Sequence, residues 1–94
     1  MPRYLIERRF EAISDEEMQE TSLRSKSLII EHFPDVVWEH SHVVTDESGA
    51  IKTFCVYSAP CEDRIHQHAK LVGGHQIARL WEIAGDVSPE DLSA

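Results

Sequence analysis

The chain has 94 residues, of which 41% are hydrophobic and 28% are charged, proportions that are typical of a globular domain. Its formal net charge of −8 argues against nucleic acid or an anionic membrane as a partner, because both bind proteins through basic surfaces. No apolar run reaches transmembrane length, and MPRYLIERRF lacks the apolar stretch of a signal peptide, so we expect a cytoplasmic protein.

The N-terminal third predicts a strand followed by a helix. Alternating apolar and polar residues in Arg3–Phe10 favour a strand. Ser14 and Glu17 have the spacing of a capping box, in which each side chain binds the backbone amide of the other residue. We expect the helix to run from Asp15 to about Phe33, because proline follows at position 34.

The middle of the chain predicts a β-hairpin. Its arms, Val36–Thr45 and Ile51–Ser58, are rich in β-branched and aromatic residues. The segment DESGA between them is a turn-forming cluster in which Gly49 can adopt a positive φ.

Two registers of this hairpin remain open. They differ by one residue, so the side chains of the first arm that share a face with Cys55 and Tyr57 in one register lie on the opposite face in the other. In the preferred register Thr45 pairs with Ala50, which sets two further pairs, Trp38 with Tyr57 and His40 with Cys55. The alternative register places His40 among Phe54 and Val56. We favour the first, because burying histidines beside those apolar residues requires hydrogen-bond partners that the sequence does not obviously supply.

The remaining segments complete the predicted order of elements. Cys61–Val72 predicts a second helix, which the glycines at 73 and 74 end. Gln76–Ala84 is interpreted as the last strand, although its periodicity also admits a helix. We therefore predict one domain over residues 1–84 and a loosely attached C-terminal tail over residues 85–94. The two cysteines, at 55 and 61, are expected to be free thiols.

The order β-α-β-β-α-β predicts a ferredoxin-like α+β fold, a four-stranded antiparallel sheet with two helices on one face. The preferred register gives the uncovered face these side chains: Glu7, Trp38, His40, His42, Cys55 and Tyr57. Such an aromatic face predicts a homodimer in which two sheets stack, with Trp38 and Tyr57 at the interface.

The sharpest chemical signal is His40-x-His42 on a strand. Side chains two residues apart on a strand share a face at about 6–7 Å, so two imidazoles can converge on one metal ion. A thiolate from Cys55 would add a soft ligand for Zn²⁺, Ni²⁺ or Cu²⁺. We place His40 and Cys55 first among the candidate ligands, then His42 and Glu7, and finally His68. The plainer alternative is a hydrogen-bonded interface histidine at 40 and a half-exposed one at 42.

Three segments, RYLIERRF, WEHSHVVTD and KTFCVYSAP, resemble a family of short bacterial nickel-binding proteins with a ferredoxin-like fold, a domain of unknown function. The resemblance covers about Pro2 to Ile83. It implies a small dimer that binds a transition-metal ion. By analogy with the family this ion is nickel, and zinc and copper are the alternatives. It implies no established catalytic activity. The candidate residues at 7, 40, 55 and 57 fall within matching segments, and His68 falls in the helix that follows. The arginines at 8 and 9 replace a histidine-rich segment of the nickel-binding relative.

The competing hypothesis is a dimeric enzyme of the α/β-barrel type, an isomerase, dehydratase or cofactor-free oxygenase. His40 would be its general base, and Tyr57 or His68 would hydrogen-bond the substrate. A deep apolar cavity lined by His40 would favour this enzyme, whereas a shallow cluster of nitrogen or sulfur ligands would favour a metal site. If neither is present, a plain interaction module remains.

Overall fold

The computed structural model describes residues 1–93. Its elements in chain order are β1 (Arg3–Phe10), α1 (Asp15–His32), β2 (Val37–Thr45), β3 (Ile51–Ser58), α2 (Glu62–Val72), β4 (His75–Glu82) and a short 3-10 helix (Pro89–Asp91). The strands form one antiparallel sheet in the order β2-β3-β1-β4. The predicted ferredoxin-like α+β fold is confirmed. Within residues 1–93 no helix is both long enough and apolar enough to cross a membrane.

The hydrophobic core lies between the sheet and the two helices, on what we call the helix side of the sheet. Its buried members are Tyr4, Ile6, Phe33, Val36, Cys55, Tyr57, Ala59 and Ile65. Helix α2 contributes the fully buried Ile65, whereas the only buried residue within α1 is Ser25. Helix α1 packs against the core through the half-buried Ile29, and a cavity remains between α1 and the sheet beside Ser25.

The loop between β2 and β3 is one residue longer than the preferred register required. Thr45 pairs with Ile51 rather than with Ala50, and the loop is closed by a hydrogen bond of 2.9 Å from the Asp46 amide to the Ala50 carbonyl. The Asp46 carboxylate also accepts hydrogen bonds from the amides of Ser48 and Ala50. The predicted pairing of His40 with Cys55 is therefore wrong, and His40 pairs with Val56.

A bulge in β2 restores one part of the prediction. Trp38 pairs with Tyr57 as predicted, but the register shifts before His40, so that Glu39 has no partner of its own on β3. Strand β4 has a similar irregularity, because Glu7 pairs with Arg79 while Arg8 pairs with Ile77. Residue 78 is thus the extra residue in β4, and both edge strands of the sheet contain one.

These registers correct the predicted composition of the open side, the sheet face that neither helix covers. Trp38, Cys55 and Tyr57 lie on the helix side, where Cys55 and Tyr57 are in the core. Three residues of the predicted set remain on the open side: Glu7, His40 and His42. Glu7 and His42 pair with Phe54 and His40 pairs with Val56, and the side chains of Phe54 and Val56 point away from the helices. Burial of the aromatic and thiol side chains against the helices accounts for this choice of face.

The predicted capping box is present at the start of α1. The Glu17 amide donates to Ser14 Oγ, and the Ser14 amide donates to the Glu17 carboxylate, each over 3.1 Å. We expect Ser14→Ala to lower the free energy of unfolding by about 1 kcal/mol, because it leaves a helix-terminal amide without its acceptor. Urea denaturation measures this difference. Ser27→Ala, at an exposed position within the same helix, is the matched control, and equal destabilisation by both changes would contradict the capping role.

Candidate functional site

Two exposed imidazoles lie side by side on the open side of the sheet. His40 and His42 follow the bulge in β2, and both are exposed. Their ring centroids are 5.3 Å apart and the ring planes are inclined at 77°. Two imidazoles that bind one ion at a metal–nitrogen distance of about 2.1 Å have centroids about 4.5 to 5.5 Å apart for right to tetrahedral angles. The observed spacing is compatible with shared coordination.

The structure does not bring Glu7 to this pair. Glu7 on β1 pairs with Phe54 on β3, which in turn pairs with His42 on β2. Two strand spacings, about 9 to 10 Å, therefore separate the backbones of Glu7 and His42. The Glu7 carboxylate instead forms an ion pair of 3.5 Å with Arg9. Within residues 1–93 no group of three or more His, Cys, Asp and Glu side chains could hold a metal ion.

The two other predicted ligands lie on the helix side. Cys55 is buried, and its thiol lies 3.4 Å from Thr53 Oγ1, to which it donates. His68 on α2 is fully buried between Phe33 and Tyr57. The sheet therefore separates both side chains from His40, and in this conformation neither can bind the same ion as His40 within one chain.

His68 belongs to a buried hydrogen-bonded cluster. Its Nε2 lies 3.1 Å from the Ser25 carbonyl oxygen, so Nε2 carries the proton and donates it. Ser25 Oγ lies 3.2 Å from the same nitrogen and 3.5 Å from the Tyr57 hydroxyl. Burial lowers the pKa of His68, and the positive charge of Arg8 and the nearby His75 add to the effect. Burial raises the pKa of Tyr57, because it disfavours the charged form of this side chain as well.

Arg8 and His75 form a second, partly buried contact on the same side. Arg8 Nη1 lies 2.7 Å from His75 Nε2, and His75 Nδ1 lies 3.0 Å from the Gly73 carbonyl oxygen. Because the carbonyl can only accept, Nδ1 carries the proton and Nε2 accepts from Arg8. Burial, followed by the charges of Arg8 and Arg24, lowers the pKa of His75, which favours the neutral ring.

A cavity of about 60 Å³ opens beside these groups, between α1 and the sheet. Its aromatic walls are formed by Phe10, Trp38 and Tyr57, and Arg8 and His75 line it at one side. Trp38 stacks on Tyr57 with centroids 6.0 Å apart, and its indole N–H donates to Ser41 Oγ. Trp38 and Tyr57 thus form a wall of this cavity and do not lie on the open side, where the dimer interface was predicted.

Residues 4–83 match the model of one protein family, described as nickel responsive protein SCO4226-like. The chain belongs to this family. The match covers all six main elements apart from Arg3 and includes every candidate residue named above, so the resemblance noted in the sequence is confirmed. No curated protein and no solved structure matches the chain.

In this SCO4226-like chain the two neighbouring imidazoles and the cavity lie on opposite sides of the sheet. The cavity on the helix side is not lined by His40. The enzyme hypothesis with His40 as acid or base therefore finds no support, because the cavity and the proposed base lie on opposite faces of the sheet.

The sequence interpretation missed Arg8 and His75 in this SCO4226-like chain. In the sequence, Arg8 is notable only as a departure from the histidine-rich segment of the nickel-binding relative, and His75 lies outside every predicted element. The alternation in β1 contained the signal for Arg8, because position 8 shares a face with Tyr4 and Ile6. For His75 there was no such signal, since its role depends on the exact start of β4.

Proposed function

We propose that this protein binds a transition-metal ion, nickel in the first instance, through His40 and His42 on the open side. The observation that supports the proposal is the pair of exposed imidazoles on one face with centroids 5.3 Å apart. Imidazole nitrogen is a suitable ligand for Ni²⁺, Zn²⁺ and Cu²⁺. The family description, nickel responsive protein, is what makes nickel the first ion to test.

Two histidines supply only part of a coordination sphere. The remaining positions would be filled by water or by the same pair from a second copy of the chain, which would bring four imidazoles together across a two-fold axis. Val37 and Trp81 are 48% and 43% exposed and also lie on the open side, so association there would bury apolar surface. A homodimer through the open side is therefore part of the proposal.

The identity of the ion depends on supply as much as on affinity. Nitrogen ligands generally hold copper more tightly than nickel, so the protein should bind both ions in solution. A small metal-binding protein with two exposed ligands per chain suits sensing or storage of an ion that exchanges readily. We therefore propose that its physiological role is the sensing or storage of a metal ion and involves no catalytic step.

Calorimetric titration of the tag-free chain with Ni²⁺ tests this site. We expect saturable binding near one ion per chain or one per dimer, and a loss of at least about tenfold in affinity in the double variant His40→Ala, His42→Ala. The matched control removes two exposed histidines elsewhere, His32→Ala with His66→Ala, and should bind Ni²⁺ as the unaltered chain does.

Two outcomes would contradict the proposal. One is unchanged nickel binding in the His40, His42 double variant. The other is loss of binding in Cys55→Ala with both histidines intact, which would move the site to the helix side. Sedimentation of the chain with and without Ni²⁺ tests the dimer separately.

A further inference from the structure

Arg8, which lines the cavity on the helix side, has a buried guanidinium without an acidic partner. Arg8 is only 4% exposed, although it carries a full positive charge. Within residues 1–93 no carboxylate forms an ion pair with it, and its Nη2 has no hydrogen-bond partner. Its contacts are the neutral His75 ring and the face of Tyr57, whose centroid is 5.1 Å from the guanidinium carbon.

Such an arrangement is unfavourable unless something compensates the charge. Burying an ion without a counter-ion costs much more than any single hydrogen bond returns. The π-face of Tyr57 and the lone pair of His75 offset only part of that cost. An anion placed beside Arg8 would supply the missing charge and an acceptor for Nη2.

The cavity has the room and the chemistry for a small anion with an apolar body. Arg8 lines it, and none of the other lining residues is acidic. A water-sized group needs about 10 to 15 Å³ of such space. The cavity of about 60 Å³ therefore holds about four to six non-hydrogen atoms, and more where it opens to solvent.

The single charge of Arg8 and the apolar walls of the cavity indicate which class of anion the cavity can bind. One guanidinium balances one negative charge, whereas phosphate carries more than one near pH 7 and needs several donors. The net charge of −8 further disfavours multiply charged anions. The aromatic rings of Trp38 and Phe10 and the side chains of Met18 and Val43 offer apolar surface to the rest of the ligand.

From this geometry we infer that the cavity binds a small organic monocarboxylate, with its carboxylate paired to the Arg8 guanidinium and its apolar end against Trp38. Because Nη2 is buried in this conformation, pairing requires the guanidinium to turn toward the cavity. The site is independent of the histidine pair, because the sheet lies between them. For so small a ligand the dissociation constant would be about 1 µM or weaker.

Titration with butyrate, followed by amide chemical shifts in NMR, tests the inference. We expect saturable shifts at cavity residues such as Thr53 and Tyr57, with butyramide, the uncharged isostere, binding at least about tenfold more weakly. In Arg8→Gln butyrate affinity should fall at least about tenfold. Arg9→Gln is the matched control, because it removes the same charge from the adjacent residue on the open side and should leave butyrate binding unchanged.

Several results would overturn the inference. Absence of saturable butyrate binding, equal binding of butyramide, or unchanged affinity in Arg8→Gln would each do so. Equally tight binding of inorganic phosphate would show that the site does not select carboxylates. If Arg8→Gln does not fold, the comparison of butyrate with butyramide on the unaltered chain decides the matter. The His40→Ala, His42→Ala variant should bind butyrate normally, which separates this site from the metal site.

Discussion

Replacing Ile65 with alanine is expected to lower the free energy of unfolding by about 2 to 5 kcal/mol, the usual effect of truncating a fully buried isoleucine. Ile65 is 0% exposed and is the part of α2 that lies within the core cluster. The total stability of a domain of this size is about 5 to 15 kcal/mol, so the variant should lose a large fraction of it. Urea denaturation followed by circular dichroism measures the difference.

Ile30→Ala is the matched control for this change. Ile30 also lies on a helix, but it is 67% exposed, so truncation removes little buried surface. Its free energy of unfolding should change by no more than about 0.5 kcal/mol. A similar loss in both variants would mean that α2 does not pack on the sheet as described.

The stability of the protein should fall as the pH is lowered below about 6.5, and His68→Gln should reduce that dependence. Because the pKa of His68 is lowered in the folded state from its ordinary value of 6.5, the unfolded chain takes up a proton first. The stability that neutral His68 contributes is complete above pH 6.5 and is lost as the pH falls toward the folded-state pKa. The slope from one such group is at most about 1.4 kcal/mol per pH unit.

Urea denaturation at a series of pH values between 5 and 7.5 would measure this slope. Burial and the charges of Arg8 from β1 and His75 from β4 lower the pKa of His68, and the hydrogen bond to the Ser25 carbonyl from α1 opposes them only in part. Tyr57 from β3 offers no negative charge to stabilise an imidazolium. The pKa of His75 is also lowered in the folded state, so the slope of stability against pH should decrease in His68→Gln without vanishing. His66→Gln, exposed on the same helix, should leave the slope unchanged, and an identical slope in His68→Gln would refute the prediction.

Local signals in the sequence were sufficient to predict the fold. The capping box at Ser14 and Glu17 set the start of α1, and β1 and β3 have the predicted bounds. Helix α2 begins one residue later than expected, after Cys61, and β4 begins one residue earlier, at His75. These signals act over three or four residues, so they do not depend on how the strands pair.

The assignment of side chains to the two faces could not be predicted in the same way. The pairing of β2 with β3 depends on one extra loop residue at Asp46–Ala50 and on one bulge residue, Glu39, and each of these shifts the pairing beyond it by one residue. The two shifts cancel at Trp38, which pairs with Tyr57 as predicted, but not at His40, which therefore lies on the face opposite to Cys55. Neither the length of the loop that Asp46 closes nor the bulge at Glu39 could be read from the residue types alone.

The irregularities at Glu39 and at residue 78 have a consequence for how copies of this chain can meet. Strands β2 and β4 are the two edges of the sheet, and an edge with a regular row of free amides and carbonyls invites another strand to extend the ladder. Here each edge is interrupted by one extra residue, which bends the strand and breaks the hydrogen-bonding period. Growth of the sheet from chain to chain is thereby discouraged, and face-to-face association remains the open route.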